Sequence, residues 1–114
     1  MRQLNDDYKN YEISNATLVT EDLIDSFLLF LRPLKYELGI AGKVDILQAE
    51  VDTFELEGVG YGMRYKDDET RKKAEDLLNE DLFDLMNAIA PFGCYFGAHE
   101  GDGSCFGFWE STNE

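Results

Sequence analysis

The chain has 114 residues, 44% hydrophobic and 13% aromatic, with 24 Asp and Glu against 10 Lys and Arg, a formal net charge of -14. That length fits one domain, residues 1–114, with one modest core, about two-thirds of the unfolded surface being hidden on folding, and its clustered aromatic rings argue against intrinsic disorder. The charge argues against binding nucleic acid through phosphates or docking on anionic membranes, since both need cationic side chains, and leaves basic protein surfaces as the partners its field favours.

Residues 1–9 are polar and read as a loosely held end. They contain no apolar signal core, and no later run approaches the length of a membrane span, so a cytoplasmic location is expected. Tyr11-Glu12-Ile13-Ser14 alternates apolar and polar, as a short strand does, and runs into a turn at Asn15-Ala16-Thr17-Leu18. Thr20 is a candidate N-cap, with Glu21 and Asp22 at the positive end of the helix dipole. Leu23, Ile24, Phe27, Leu28 and Leu31 share one helical face, which predicts a helix over 21–32 that Pro33 stops or kinks. Leu34 to Leu38 suits a second short helical segment closed by Gly39.

The middle is less legible. Val44 to Val51 fits either a strand or a short helix. Thr53 to Glu57 alternates, and Gly58, Gly60 and Gly62 interrupt Val59, Tyr61 and Met63, which favours strands over 53–57 and 59–65. Asp67 and Asp68 then open a second helix, expected over 69–90, with Ala74, Leu77, Leu78, Leu82, Leu85, Met86 and Ile89 on its apolar face and Pro91 and Gly93 beyond its end.

Two aromatic runs, Gly93 to His99 and Ser104 to Trp109, flank a turn at Glu100-Gly101-Asp102-Gly103 and read as an antiparallel hairpin. With His99 opposite Ser104, Phe96 faces Gly107, Gly97 faces Phe106 and Tyr95 faces Phe108, so rings from one strand cover bare backbone on the other. In that register Cys94 and Cys105 share a face about 13 Å apart, too far for a disulfide, and are read as reduced core thiols. Together these elements predict an α+β fold, two helices packed on one face of a small antiparallel sheet that ends in a C-terminal hairpin.

No catalytic constellation emerges. His99, the one histidine, sits beside Glu100 and near Asp102, where it serves either as a general base or metal ligand or as a polar hairpin-end residue bonded to the turn. Cys94, His99 and Cys105 match no standard zinc spacing and lack a fourth ligand. Glu100 to Ser104 has too few oxygen donors for a calcium loop and suits turn chemistry, with glycine supplying positive φ. Ser104 lacks the Gly-x-Ser-x-Gly context of an activated nucleophile. No cofactor, metal or catalytic residue is therefore expected.

The acids are more informative. Asp76, Glu80 and Asp84 fall at i, i+4 and i+8 of the second helix, in one row about 6 Å apart, with Asp81 beside them. Such a row is ordinarily a solvated face, and its mutual repulsion is mildly destabilising. Residues 67–92 nevertheless carry eight acids against three bases, and residues 93–114 four acids and no Lys or Arg. Residues 67–114 thus carry 12 acids against three bases, a negative excess of the kind an interaction surface requires.

Leu77-Leu78-Asn79-Glu80-Asp81-Leu82-Phe83, Tyr95-Phe96-Gly97-Ala98-His99-Glu100-Gly101-Asp102-Gly103, Phe106-Gly107-Phe108-Trp109 and the opening Ile13-Ser14-Asn15-Ala16-Thr17-Leu18 with Asp22-Leu23 resemble a group of short acidic proteins from bacteria and their phages. The resemblance covers residues 11–32 and 77–110 and implies origin in a phage, plasmid or other mobile element, with no functional residues to carry over. Small acidic proteins of such elements include anti-restriction and anti-CRISPR inhibitors that occupy the DNA channels of host nucleases. By that analogy of charge and setting, the expectation is a non-catalytic protein that presents Asp76, Glu80, Asp81, Asp84, Glu100 and Asp102 to a basic, nucleic-acid-binding partner. The alternatives are an accessory protein whose hairpin edge builds a homodimer, and a small enzyme or metal protein using His99.

Overall fold

The computed structural model describes residues 2–15, 19–59 and 62–110. In chain order the elements are β1 (Tyr11–Ser14), α1 (Thr20–Leu31), α2 (Ala41–Asp52), β2 (Leu56–Val59), β3 (Gly62–Tyr65), α3 (Asp68–Asp76), a π-helical stretch (Leu77–Leu82), α4 (Phe83–Ile89), β4 (Cys94–His99) and β5 (Asp102–Glu110). Short 3-10 turns occupy Asp6–Tyr8 and Arg32–Leu34. β5 is the central strand of an antiparallel sheet ordered β1-β5-β4, while β2 and β3 form a separate hairpin. The fold is α+β with a C-terminal hairpin, as the sequence predicts, and α2 adds a helix to the two expected.

The helices form where apolar stripes demand them. Leu23, Ile24, Phe27, Leu28 and Leu31 of α1 are all buried. Thr20 is the first helical residue and not the cap, a position held by Val19 without a side-chain hydrogen bond. Pro33 sits near the start of the 3-10 turn that follows, and Gly39 takes φ +71° in the turn before α2, a conformation that glycine adopts without steric penalty. Asp67 caps α3 by accepting the Thr70 N–H at 2.8 Å. Ala74, Leu77, Leu78, Leu82, Leu85, Met86 and Ile89 are buried along α3, the π stretch and α4.

The N-terminal segment is not loose. The Arg2 and Leu4 N–H groups donate to Leu38 and Ile89 carbonyls, each at 2.8 Å, and the Leu4 side chain is buried in the core. One leucine in a polar stretch was enough to dock it, because it seals the core where α4 ends. The strands expected over 53–57 and 59–65 begin later, at Leu56, and pair as a hairpin. Ala16, Thr17 and Leu18 of the expected turn, Gly60 and Tyr61, and the side chains of Val59 and Met63 lie outside the described residues.

The C-terminal hairpin pairs one residue away from the predicted register. Phe96 faces Phe108, Gly97 faces Gly107, Tyr95 faces Trp109 and Ala98 faces Phe106. The turn is tighter than predicted, with His99 opposite Asp102, and the extra residues form a bulge on the β5 side. Gly101 and Gly103 take no left-handed φ, in contrast to the turn chemistry expected of them. Because side chains alternate, Phe96, Phe106 and Phe108 point into the core. Phe27 of α1 meets Phe96, Phe106 and Phe83 at ring-centroid distances of 5.0, 6.0 and 5.9 Å. Glycine therefore faces glycine, and Trp109 reaches both in different ways. Its indole Nε1–H donates to the Gly97 carbonyl at 2.8 Å, and its ring lies over Gly107.

Tyr65 on β3 is buried and meets Phe54 edge-on at 6.0 Å. Burial, reinforced by the negative charges of Glu21 and Asp25, pushes its hydroxyl up to about 12. A folded value above the unfolded one, near 10, means that the stability contributed by this group is complete below about pH 10 and is lost as the pH rises to about 12. Tyr65→Phe removes that linkage. In urea unfolding series across this alkaline range, the variant's stability is expected to fall less steeply with pH than that of the parent chain.

Candidate functional site

The long helical run places the acids by its winding. Asp76 ends α3, Glu80 and Asp81 lie in the π stretch, Asp84 lies in α4, and Glu100 and Asp102 border the hairpin turn; all six are exposed. A π stretch bonds i to i+5 and so turns less per residue than an α-helix. The regular winding on which the predicted i, i+4, i+8 row of Asp76, Glu80 and Asp84 rests is therefore not kept between Asp76 and Asp84. Asp81 and Asp84, not Glu80 and Asp84, share the side that faces α2.

There they rim a groove of about 370 Å³ between α2 and α4. Lys43, Ile46, Leu47 and Glu50 of α2 supply one wall, and Leu85 and Ala88 extend the other. Leu47 and Leu85 are buried at its floor and Ile46 stands 69% exposed on the wall, so the groove is apolar and open. The sequence does not mark these α2 residues as a site, because Val44 to Val51 fits a strand as well as a helix. Their spacing, i, i+3, i+4 and i+7, was the available signal.

Glu100 and Asp102 belong to a second group at the hairpin tip. The Asp102 carboxylate accepts the Ser104 N–H at 3.0 Å and the Ser104 hydroxyl at 2.8 Å, and these bonds hold it below the ordinary carboxylate range. β4 doubles back along α4, its Phe96 N–H donating to Asn87 Oδ1 at 2.9 Å and its Phe96 ring 5.2 Å from Phe83.

Four of the six lysines are paired with other acids. Lys9 meets Asp6 at 3.7 Å, Lys35 meets Asp45 at 2.6 Å, Lys66 meets Glu55 at 2.7 Å and Lys73 meets Glu69 at 3.6 Å. Among the described residues, none of the six candidate acids has a Lys or Arg partner within 4.0 Å.

His99 is bound into the turn. Its Nδ1 accepts the Gly101 N–H at 3.0 Å, and its ring stands edge-on to Trp109 at 4.7 Å. The two cysteines lie on opposite faces of the sheet and not on a shared one, because alternation along the actual register separates them. Cys94 packs at the core's border, whereas Cys105 points outward and donates to Glu12 Oε1 at 3.4 Å, so only Cys94 is a core thiol. Burial raises both thiol pKa values, and Glu12 raises that of Cys105 further, which keeps both protonated and weakly nucleophilic. Cys94, His99 and Cys105 therefore do not converge. Among the described residues, no three His, Cys, Asp or Glu side chains are grouped to hold a metal ion. None of the described helices is long and apolar enough to cross a membrane.

The free edge of β4, the natural route to a sheet-extended dimer, is partly occupied. The Cys94 N–H donates to the Pro91 carbonyl at 2.9 Å and the Phe96 N–H to Asn87. An edge whose donors are already engaged is a poor template for another strand. No protein-family model, curated protein or solved structure matches the chain.

Proposed function

We propose that this is a non-catalytic acidic binding protein whose C-terminal half engages a basic protein surface, displacing or excluding the nucleic acid that surface otherwise holds. A host defence nuclease of the kind targeted by anti-restriction and anti-CRISPR proteins is the partner this reading favours, in keeping with a mobile-element origin. The observation that carries it is the set of exposed carboxylates, Asp76, Glu80, Asp81, Asp84, Glu100 and Asp102, none of which, among the described residues, forms an ion pair with Lys or Arg, on a chain of net charge -14. A surface of that kind repels nucleic acid and steers basic partners toward it.

Affinity capture from a host lysate at low salt tests the reading. The expected result is recovery of a basic, nucleic-acid-binding protein that elutes as salt rises past about 0.3 M, where screening shortens the reach of charge. The joint variant Asp76→Asn, Glu80→Gln, Asp81→Asn, Asp84→Asn is expected to retain the fold and to bind about tenfold or more weakly. Recovery of no basic protein, or equal capture by parent and variant, would overturn it.

A further inference from the structure

We infer that the groove between α2 and α4 is the specificity pocket of this acidic surface, and that it receives an apolar side chain from a basic amphipathic helix of the partner. The inference rests on the function proposed above and deepens it. Carboxylates alone attract any cation and discriminate poorly, whereas the groove couples them to shape. Its floor is the buried Leu47 and Leu85, the exposed Ile46 stands on the α2 wall, and its rim holds Glu50, Asp81 and Asp84 against one cation, Lys43. Each wall is a helical stripe, so the trough is open along its length, which suits a third helix laid into it. Its volume, about 370 Å³, accommodates a large apolar side chain. The acids then meet lysines or arginines that flank that side chain on the incoming helix. An uncharged or acidic helix of the same shape would face those carboxylates unpaired, so charge complementarity selects the basic one. The exposed Ile46, which makes the stripe wet in the free protein, is the residue such an anchor covers.

Substitution at Ile46 separates this mode from attraction by charge alone. Ile46→Asp makes the chain more acidic, so a partner held only by charge binds the variant as well as the parent or better. A partner anchored in the groove binds it at least about tenfold more weakly, because the apolar contact is replaced by a solvated carboxylate. Two probes suffice for calorimetric titration of the full chain: a synthetic amphipathic helix of leucine and lysine, and an oligolysine of equal charge. The expected result is tighter binding of the leucine-lysine helix, weakened by Ile46→Asp, with the oligolysine unaffected or strengthened. Ala88→Trp, which fills the groove from an exposed α4 position, is expected to have the same effect on the helix without adding charge. Circular dichroism and the urea midpoint verify that both variants fold, and if one does not, the other decides. If the two probes bind alike and neither folded variant alters the leucine-lysine helix, the groove assignment is overturned while the acidic surface stands. If neither probe binds the parent chain at low salt, both readings fall together.

Discussion

Gly107→Ala is expected to destabilise the fold by about 3 kcal/mol or more, whereas Gly97→Ala, directly opposite it, changes stability by less than about 0.5 kcal/mol. The two glycines face each other across the same ladder, so strand propensity and pairing do not distinguish them. Their surroundings do. A Cβ on Gly107 would run into the Tyr11 carbonyl oxygen and lie 3.1 Å from Glu12 Cα and 2.9 Å from the Trp109 ring. Two of these are main-chain atoms of β1, which bulges between Glu12 and Ser14, and main chain yields only if the strand moves. A Cβ on Gly97 meets only the Tyr95 ring, at 3.6 Å, an ordinary contact. Urea unfolding of the two variants against the parent checks the contrast. Equal behaviour would mean that β1 does not crowd the centre of the sheet as described.

That contrast also marks where the sequence stopped being informative. Gly97, Gly107 and their flanking rings announce a hairpin, but they are compatible with two registers. In one, each glycine is covered by a facing ring; in the other, the glycines face each other, with Trp109 over Gly107 and bonded to the Gly97 carbonyl. The choice depends on the bulge at 103–105 and on the indole bond to Gly97, neither of which is a local property of the chain. The apolar stripes of α1 and of the run from Ala74 to Ile89 were legible because burial repeats at three and four residues. α2 was not, because its exposed Ile46 blurs the boundary between its faces.

The same distinction separates the two halves of the candidate site. Asp76, Glu80, Asp81 and Asp84 follow from counting charge, but the π stretch that carries Glu80 and Asp81 is not foreseen by regular 3.6-residue winding. The groove required α2 to be a helix and to lie beside α4, a tertiary fact. Net charge of -14 opposes compaction, so the molecule's ability to keep carboxylates unneutralised depends on the aromatic core beneath them.

Phe27→Ala should therefore damage the whole molecule, by about 4 kcal/mol. Phe27 is 0% exposed and stands edge-on to Phe83, Phe96 and Phe106, so one α1 side chain joins α4 to both strands of the C-terminal hairpin. Truncation removes the transfer free energy of a benzyl group and leaves a cavity that three rings cannot all collapse into. Against a total stability of about 5–15 kcal/mol for a domain, such a loss takes the chain close to its unfolding threshold. Phe27→Leu, which retains most of the volume, is expected to lose about half as much. Urea midpoints and near-ultraviolet dichroism read both variants, the latter because the ring cluster supplies the asymmetric environment. The functional consequence follows from position: α4 carries Asp84 and a wall of the groove, and the hairpin carries Glu100 and Asp102, so loosening Phe27 releases both acidic groups from their common frame. A Phe27→Ala chain that retained its parent's urea midpoint would show that α1 does not hold α4 and the hairpin together.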